Sequence, residues 1–251
     1  MTSKLGRREI LQIETKGEGG RKRCETLFRY AEAGRCVSGV VHDINNYLGA
    51  IMAYADLVGL EEGLGEESQR MLGDIHAAVE RCTELLSCLA TISRGDKPSV
   101  NMADAAELMR RILRLRNHKH NVAEINTTFE EDEQLSALVI DLPGIQFALL
   151  CLVMNAEDNL MEMEDGPRQL RLSVKKSTDG ISFTVWNSGA CLTEEEAVRA
   201  FKPFTSRHAD GHLGLGLFSA RETAEAHRGS LTYDAQEGFV MFLPRETGLT
   251  L

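Results

Sequence analysis

Residues 210–217, DGHLGLGL, set Gly211, Gly214 and Gly216 just ahead of a stretch with helical apolar spacing. A glycine-rich turn that opens a helix lets backbone N–H groups approach a phosphate closely, and the helix dipole favours the bound anion. No GK[ST] follows, so the segment does not fit a Walker A loop, and it lacks the surroundings of a Rossmann fingerprint. Because glycine turns often only cap helices, this segment alone is weak evidence for a phosphate site.

Asn155 interrupts a second apolar helix, ALLCLVMNAEDNLM at residues 148–161. A buried asparagine needs hydrogen-bond partners, and its oxygen is a hard ligand for a Mg²⁺ that carries nucleotide phosphates. The alternative is that Asn155 begins the polar end of the helix. Two further glycine segments, VWNSGACL at residues 185–192 and QEGFVMFLP at residues 236–244, accompany predicted strands.

A histidine stands in the middle of a third helical stretch, SGVVHDINNYL at residues 38–48. His42 is followed by Asp43, Asn45 and Asn46. Polar residues on a helix usually face water, so the cluster is either an ordinary solvated surface or a chemical site. Its own spacing does not decide between these interpretations.

Two long helices must position His42. Apolar residues repeat at alternating four- and three-residue steps along two segments, which is the spacing of a coiled-coil seam. Gly63 and Gly65 end the first segment, and Ser68 or the acids before it can cap the second. The seams are Tyr30, Val37, Val41, Ile44, Leu48, Ile51, Ala55 and Val58 in the first helix, and Met71, Ile75, Ala78, Cys82, Leu85, Leu89 and Ile92 in the second.

An antiparallel hairpin of two such helices buries one stripe poorly, whereas two hairpins bury both stripes as a four-helix bundle. We therefore predict a homodimer through residues 25–98. The alternative is a bundle formed within one chain against the rest of the protein. His42 follows a seam residue directly, so its side chain should flank the packed stripe within reach of solvent.

The character of the sequence changes after Pro98, where helices and strands mix without strict alternation. This mixture predicts an α+β fold with a layered α/β sandwich rather than a doubly wound sheet. We expect a polar tail over residues 1–24, the hairpin over 25–98 and the sandwich over 99–251. Predicted helices cover residues 103–115, 145–161, 194–201 and 217–226, and predicted strands cover 122–129, 170–177, 181–186, 230–234 and 240–243.

Composition narrows the functional classes. The 251 residues are 43% apolar and 26% charged, as in a soluble globular protein. A net charge of -10 argues against nonspecific nucleic-acid binding, although residues 1–35 are basic and form either a docking segment or a solvated tail. No apolar run is long enough for a bilayer, and the six cysteines form no CxxC pair. These features favour a cytoplasmic chain with reduced thiols, no membrane segment and no nucleic-acid partner.

Taken in order, the segments resemble the histidine protein kinases of the two-component type over residues 25–245. SGVVHDINNYL is similar to the H-box of the HDxNN variety, LLCLVMNAEDNL to the N-box, VWNSGACL to the G1 box, FKPF to the F-box and DGHLGLGL to the G2 box. Each motif alone is modest, but five in the expected order are strong evidence. The resemblance implies a dimerisation and phosphotransfer domain followed by an ATP-binding domain of the GHKL (Bergerat) type.

The resemblance assigns His42 the role of phosphoacceptor, which attacks the γ-phosphate of ATP through one ring nitrogen. Asp43 would hold the proton of the other ring nitrogen and raise the nucleophilicity of the imidazole. Asn46 lies one helical turn after His42, and in this family that position orients a water that dephosphorylates the regulator. Asn45 has either a supporting role or none. The phosphoryl group would pass to an aspartate on a separate response regulator receiver domain.

The resemblance also implies a site for ATP and Mg²⁺ in the second domain. Asn155 would ligate the metal, Gly189 would permit close packing against adenine, and Arg207 would reach the γ-phosphate. A mobile lid anchored by Phe201 and Phe204 would cover the site over residues 192–213. The implied nucleotide-binding set is Asn155, Asp158, Asn187, Gly189, Arg207, Gly211, Gly214, Leu215 and Gly216.

Four positions depart from the family pattern. Asn187 stands where the G1 box usually has an aspartate that accepts a hydrogen bond from the adenine amino group. We expect the amide oxygen to accept that bond instead, more weakly. Cys151 replaces a polar N-box residue, Cys191 a later G1 glycine and Val240 a threonine near adenine. Together these departures lower the expected affinity for ATP.

Three functions stay open from the sequence. The first is an ATP-dependent histidine autokinase with optional regulator phosphatase activity, which the GLGL turn and Asn155 favour. The second is a phosphotransferase that keeps His42 but no longer uses ATP. The third is a GHKL ATPase or scaffold, against which the H-box on a seam helix argues. Since only a polar stretch precedes the first helix, we expect a separate sensory partner or a longer parent chain.

Overall fold

A computed structural model describes residues 18–61, 64–93, 99–205 and 213–249. A helical hairpin is followed by an α/β sandwich, so the predicted two-part α+β fold is confirmed. The helices are α1 (Glu18–Gly59), α2 (Glu66–Ser93), α3 (Ala105–Val122), α4 (Leu142–Met161), α5 (Glu194–Ala200) and α6 (Gly216–Ala226). The strands are β1 (Val100–Ala103), β2 (Asn126–Glu131), β3 (Leu138–Asp141), β4 (Gln169–Lys176), β5 (Gly180–Asn187), β6 (Ser230–Asp234) and β7 (Gly238–Pro244).

The hairpin consists of α1 packed against α2. Helix α1 begins further toward the N-terminus than its seam predicts, and it ends at Gly59. Gly63, predicted to stop this helix, lies outside the described residues. Helix α2 begins directly after Gly65 with Glu66 and Glu67 in its first turn, where their negative charges interact favourably with the helix dipole. Ser68 lies inside that turn, so its predicted role as the cap is wrong.

The predicted seam of α1 divides into two faces. Val41 and Ala55 are only 5% and 6% exposed and lie in the interior of the hairpin. Ile44, Ile51 and Val58 remain 37%, 46% and 44% exposed. With their exposed apolar neighbours they form what we call the α1 stripe, again at four- and three-residue steps. The α1 stripe comprises Val40, Ile44, Tyr47, Ile51, Tyr54 and Val58.

Five strands form the main sheet in the order β2-β4-β5-β7-β6. Strand β2 runs parallel to β4, and the other neighbouring pairs are antiparallel. Along β4, Leu170, Leu172 and Val174 are buried while the residues between them are not, which is the pattern of a sheet covered on one face. Helices α3, α4 and α6 pack on the sheet and complete a single apolar core.

The bounds of α3 and β2 differ most from the prediction, and two strands were not predicted. Ala103 belongs to β1, and α3 begins at Ala105 because the side chain of Asp104 caps its first turn. Helix α3 then continues to Val122, which was expected in a strand, and β2 begins only at Asn126. Strands β1 and β3 form a separate antiparallel pair of four residues each, too short for periodicity to reveal.

The hairpin also contacts the sandwich, because α2 packs against α3 and α4. Helix α4, which contains Asn155, therefore contacts both the hairpin and the sheet.

Candidate nucleotide and phosphoacceptor sites

A cavity of about 400 Å³ opens between α4, the end of β5, α5 and the turn that leads into α6. The residues that line this cavity come from segments far apart in the chain. Of the predicted binding residues, the cavity brings together Asn155, Asp158, Asn187, Gly189, Gly214, Leu215 and Gly216. Arg207 and Gly211 lie outside the described residues.

Asn187, the last residue of β5, belongs to a hydrogen-bond network that the sequence did not indicate. Its Oδ1 accepts from the backbone N–H of Gly189 at 2.9 Å and from Nδ2 of Asn159 at 2.8 Å. The same Nδ2 of Asn159 donates to the carbonyl oxygen of Ala190 at 3.0 Å. A carbonyl oxygen has two lone pairs, and here both are used. These two bonds disfavour a further bond from the adenine amino group to this oxygen, and adenine recognition through it stays a prediction.

Close packing accounts for two of the glycines. A Cβ on Gly189 would lie 2.7 Å from Asn159 Nδ2 and 2.8 Å from Asn187 Oδ1, so a side chain there displaces both amides. Gly214 has a φ of +65°, and a Cβ there would lie 2.6 Å from the backbone of Thr205. Gly216 is the first residue of α6, where backbone N–H groups without helical partners can meet an anion.

Asn155 lies within α4, which continues to Met161, and its side chain is half-buried. It lines the cavity together with Asp158, and both supply hard oxygen donors. Mg²⁺ in nucleotide sites takes one or two protein oxygens and completes its shell with waters and phosphates. This donor set fits such an ion, although the described residues contain no group of three or more His, Cys, Asp or Glu that could hold a metal alone. Arg199 of α5 also lines the cavity and was not predicted.

The remaining departures from the family pattern have distinct surroundings. Burial raises the pKa of the Cys151 thiol to about 12, so this side chain presents a neutral thiol to the cavity. The Cys191 thiol lies 3.7 Å from the carbonyl oxygen of Ala235. Val240 is absent from the described lining, and the β7 residues that form it are Gly238 and Phe239.

Helix α5 and the turn after it cover one side of the cavity. The Phe201 ring packs edge-on against Phe239 with ring centres 6.0 Å apart. At the start of the segment, the backbone N–H of Leu192 donates to the Tyr233 hydroxyl at 2.9 Å. These contacts tie both ends of α5 to the sheet. Phe204, the second predicted anchor, is half-buried.

Glu157, beside the cavity residue Asp158, is fully buried between α4 and α3. It accepts hydrogen bonds from Arg116 at 2.9 and 2.7 Å, and lies 2.8 Å from Lys119 Nζ and 2.9 Å from His120 Nε2. Burial alone would raise the pKa of Glu157, but the bonds from these cationic and polar groups outweigh it and the pKa is lowered. The cluster holds α3 against the helix that carries Asn155.

The predicted phosphoacceptor cluster lies on the surface of α1. The side chains of His42 and Asp43 are 74% and 72% exposed, with His42 Nδ1 3.3 Å from Asp43 Oδ1. Asn46 Nδ2 lies 3.4 Å from the same ring nitrogen. A carboxylate can only accept, so the contact with Asp43 requires a proton on Nδ1 and excludes simultaneous donation from Asn46. This tautomer leaves the lone pair on Nε2.

The molecule is therefore a helical hairpin with an exposed histidine–carboxylate pair joined to a sandwich with a nucleotide-sized cavity. Residues 32–98 match the family model described as the His Kinase A (phospho-acceptor) domain. Residues 142–247 match the model described as histidine kinase-, DNA gyrase B- and HSP90-like ATPase. The chain belongs to the two-component histidine kinases.

Curated relatives agree with these matches. Sensor histidine kinase ZraS of Escherichia coli K12 is 25% identical over 244 residues, covering 96% of this chain and 50% of ZraS. The C4-dicarboxylate transport sensor protein DctB of Rhizobium meliloti is 26% identical over 220 residues, covering 82% of this chain and 33% of DctB. The chain thus spans half the length of ZraS and a third of DctB. Within the described residues, no helix is both long and apolar enough to cross a bilayer.

Solved structures support the same fold. A nucleotide-free catalytic domain of histidine kinase ThkA is 26% identical with a TM-score of 0.52, covering 59% of this chain and 96% of that one. ThkA in complex with the response regulator protein TrrA covers 96% of this chain and 68% of that one, at 21% identity and a TM-score of 0.51. Full-length ShkA in complex with AMPPNP covers 86% and 47%, at 19% identity and a TM-score of 0.52.

Proposed function

We propose that this chain is an ATP-dependent histidine autokinase that phosphorylates His42 and passes the phosphoryl group to an aspartate of a separate response regulator. The observation that carries the proposal is the presence of two complementary sites in one chain. The hairpin exposes the His42–Asp43 pair, and the sandwich encloses a cavity lined by Asn155, Gly189 and Gly214.

His42 supplies the nucleophile. With its proton on Nδ1 and directed at Asp43, the imidazole attacks the γ-phosphorus of ATP through Nε2. The bond from that phosphorus to the bridging oxygen breaks, and ADP leaves with the bonding electron pair. Because the transition state of phosphoryl transfer is loose, the protein contributes chiefly position and charge. Asn46, within reach of the ring, orients a water when the regulator is dephosphorylated.

The cavity holds the nucleotide. Asn155 would hold Mg²⁺ with Asp158 beside it, and that ion supplies charge neutralisation for the phosphates when it is bound. Leu215 and Gly216 lie where α6 begins, so free N–H groups and the helix dipole favour the phosphate chain. Arg207 and Arg199 are the guanidinium groups that would reach the terminal phosphate. Gly189 keeps the base end of the cavity open.

The exposed α1 stripe supports a homodimer. An apolar row of this length on one helix is unusual for a free surface. Helix α2 adds Met71, Ile75, Leu85 and Leu89, which are 36–56% exposed. Two hairpins that bury these rows against each other form the four-helix bundle expected for residues 25–98. His42 is separate from the α1 stripe and stays accessible in this arrangement.

The remaining partners follow from the chemistry. A receiver domain supplies the aspartate that accepts the phosphoryl group, and ThkA forms a complex with the response regulator protein TrrA. A sensory protein or a longer parent chain supplies the input. Since ATP is the donor, the reaction belongs to the cytoplasm. The division at residues 24 and 98 separates the tail, the phosphotransfer domain and the ATP-binding domain of residues 99–251.

The test is incubation with γ-labelled ATP and Mg²⁺, beside His42→Gln and the matched control His118→Gln on the exposed surface of α3. Acid-labile, base-stable label on wild type and control, with none on His42→Gln, supports the proposal. Equal labelling of His42→Gln overturns it. If wild type stays unlabelled but takes label from a phosphorylated receiver domain, the protein is the alternative phosphotransferase, as the occupied oxygen of Asn187 would allow.

A further inference from the structure

We infer that Asn187 selects a purine nucleotide with a hydrogen-bond acceptor at carbon 6 of the base, as in inosine or guanosine triphosphate, over ATP. The inference rests on the proposed function and on the cavity-lining position of Asn187, which the family resemblance places beside the base of a bound nucleotide. ATP remains a usable phosphoryl donor in that function, but the protein binds it less tightly than it binds inosine or guanosine triphosphate. It follows from the direction in which the amide of Asn187 is held.

The backbone fixes this direction. The atom of Asn187 nearest to Gly189 N must be the oxygen, because an N–H cannot donate to an amide nitrogen. The atom of Asn159 nearest to the carbonyl oxygen of Ala190 must likewise be the nitrogen. With both amides assigned in this way, Asn159 Nδ2 donates to Asn187 Oδ1 at 2.8 Å, so the two assignments agree.

A bound base cannot easily reverse the arrangement. Turning the Asn187 amide over would place its NH₂ against the Gly189 N–H and the Asn159 NH₂, leaving two donors without an acceptor. Asn159 cannot turn in response without losing its bond to Ala190. Each such loss costs about 1 kcal/mol or more at a half-buried site.

The group left for the ligand is therefore Nδ2 of Asn187, a donor. Among the described residues, the hydrogen bonds of the Asn187 side chain at this end of the cavity all go to its oxygen. An aspartate in the same place would offer a second acceptor oxygen, which suits the amino group at carbon 6 of adenine. Asn187 instead offers an N–H, which suits a carbonyl oxygen at that carbon and opposes an amino group. One atom at the end of β5 thus reverses the hydrogen-bond polarity of the base site.

The test compares binding of the imido analogues of ATP, ITP and GTP by isothermal titration calorimetry in the presence of Mg²⁺. Adenosine and inosine form the sharpest pair, because the bases differ at carbon 6 and in the protonation of the neighbouring N1. The variants are Asn187→Asp and the control Asn117→Asp, which makes the same chemical change at an exposed position of α3. In Asn187→Asp, one carboxylate oxygen still accepts from Gly189 and Asn159, so the local fold is retained.

We expect wild type and Asn117→Asp to bind the inosine and guanosine analogues about tenfold more tightly than the adenosine analogue. Asn187→Asp should reverse the order. A wild-type preference for the adenosine analogue, or an unchanged order in Asn187→Asp, overturns the inference and leaves the proposed function standing. If wild type binds none of the three analogues, the ATP-dependent function fails as well.

Discussion

At the scale of single residues, Gly189 is a position in the candidate nucleotide site that has no room for a side chain. Its missing side chain lets Asn159 and Asn187 approach each other across the loop after β5. We expect Gly189→Ala to weaken binding of the ATP analogue by about tenfold, because the new Cβ forces the two amides apart. Calorimetric titration of the purified variant measures this directly.

Gly73→Ala is the matched control for that change. A Cβ at Gly73 meets no atom within 4 Å, and alanine is the better helix former. Its affinity for nucleotide should equal that of wild type, with slightly raised stability. Wild-type affinity in Gly189→Ala would show that the amide network is not part of the site.

Glu157 is a second informative residue, because it is buried and ionised. Replacing it with glutamine removes the charge that Arg116, Lys119 and His120 surround. We expect Glu157→Gln to lower the free energy of unfolding by about 3 kcal/mol at pH 7, measured by urea denaturation. Glu131→Gln, at an exposed pair with Arg110, should change it by only about 0.5 kcal/mol.

The ionised Glu157 also makes the free energy of unfolding depend on pH in a definite direction. The pKa of Glu157 is lower in the folded chain than in the unfolded one. Its stabilising contribution is therefore complete above the unfolded pKa of about 4.3 and is lost progressively as pH falls toward the folded value. Wild type should lose stability faster than Glu157→Gln as pH falls below about 5. Parallel curves for the two proteins would show that the carboxylate is not ionised in the cluster.

At the scale of elements, the α1 stripe is the surface through which the proposed dimer would form. Ile51 is at its centre and is 46% exposed in the single chain. We expect Ile51→Glu to convert a dimer to a monomer, because burying an unpaired carboxylate in an apolar bundle costs several kcal/mol. Light scattering coupled to size-exclusion chromatography reports the mass.

Leu57→Glu provides the comparison, since Leu57 is 61% exposed but lies outside the α1 stripe by helical spacing. This variant should remain a dimer. A monomeric wild-type protein, or a dimeric Ile51→Glu variant, would contradict the proposed four-helix bundle.

The long periodic elements were the ones that the sequence could predict. Two heptad helices and the buried strands of the main sheet repeat their apolar residues often enough to be recognised. Strands β1 and β3 are too short for this, and α3 extended past its predicted end through the exposed Val122. The periodicity of α1 alone could not show which half of its seam is buried, because that depends on where α2 packs against it.

At the scale of the whole molecule, the two candidate sites lie in different parts of the fold, and the proposed phosphoryl transfer requires them to meet. The motifs predicted both sites because each carries several residues in a short segment. Asn159 and Gly238 were missed because they contribute through contacts between distant segments, at the end of β5 and the start of β7. The direction of the Asn187 amide was missed for the same reason. It depends on the backbone path through Gly189 and Ala190 rather than on residue type.

The central claim is that the phosphoryl group enters at Nε2 of His42. The most direct measurement is peptide mapping of the autophosphorylated protein at neutral pH, with ³¹P nuclear magnetic resonance to identify the ring nitrogen. We expect a single phosphorylated residue, His42, modified at Nε2 while Nδ1 faces Asp43. Phosphate at Nδ1, or on any residue other than His42, would contradict it.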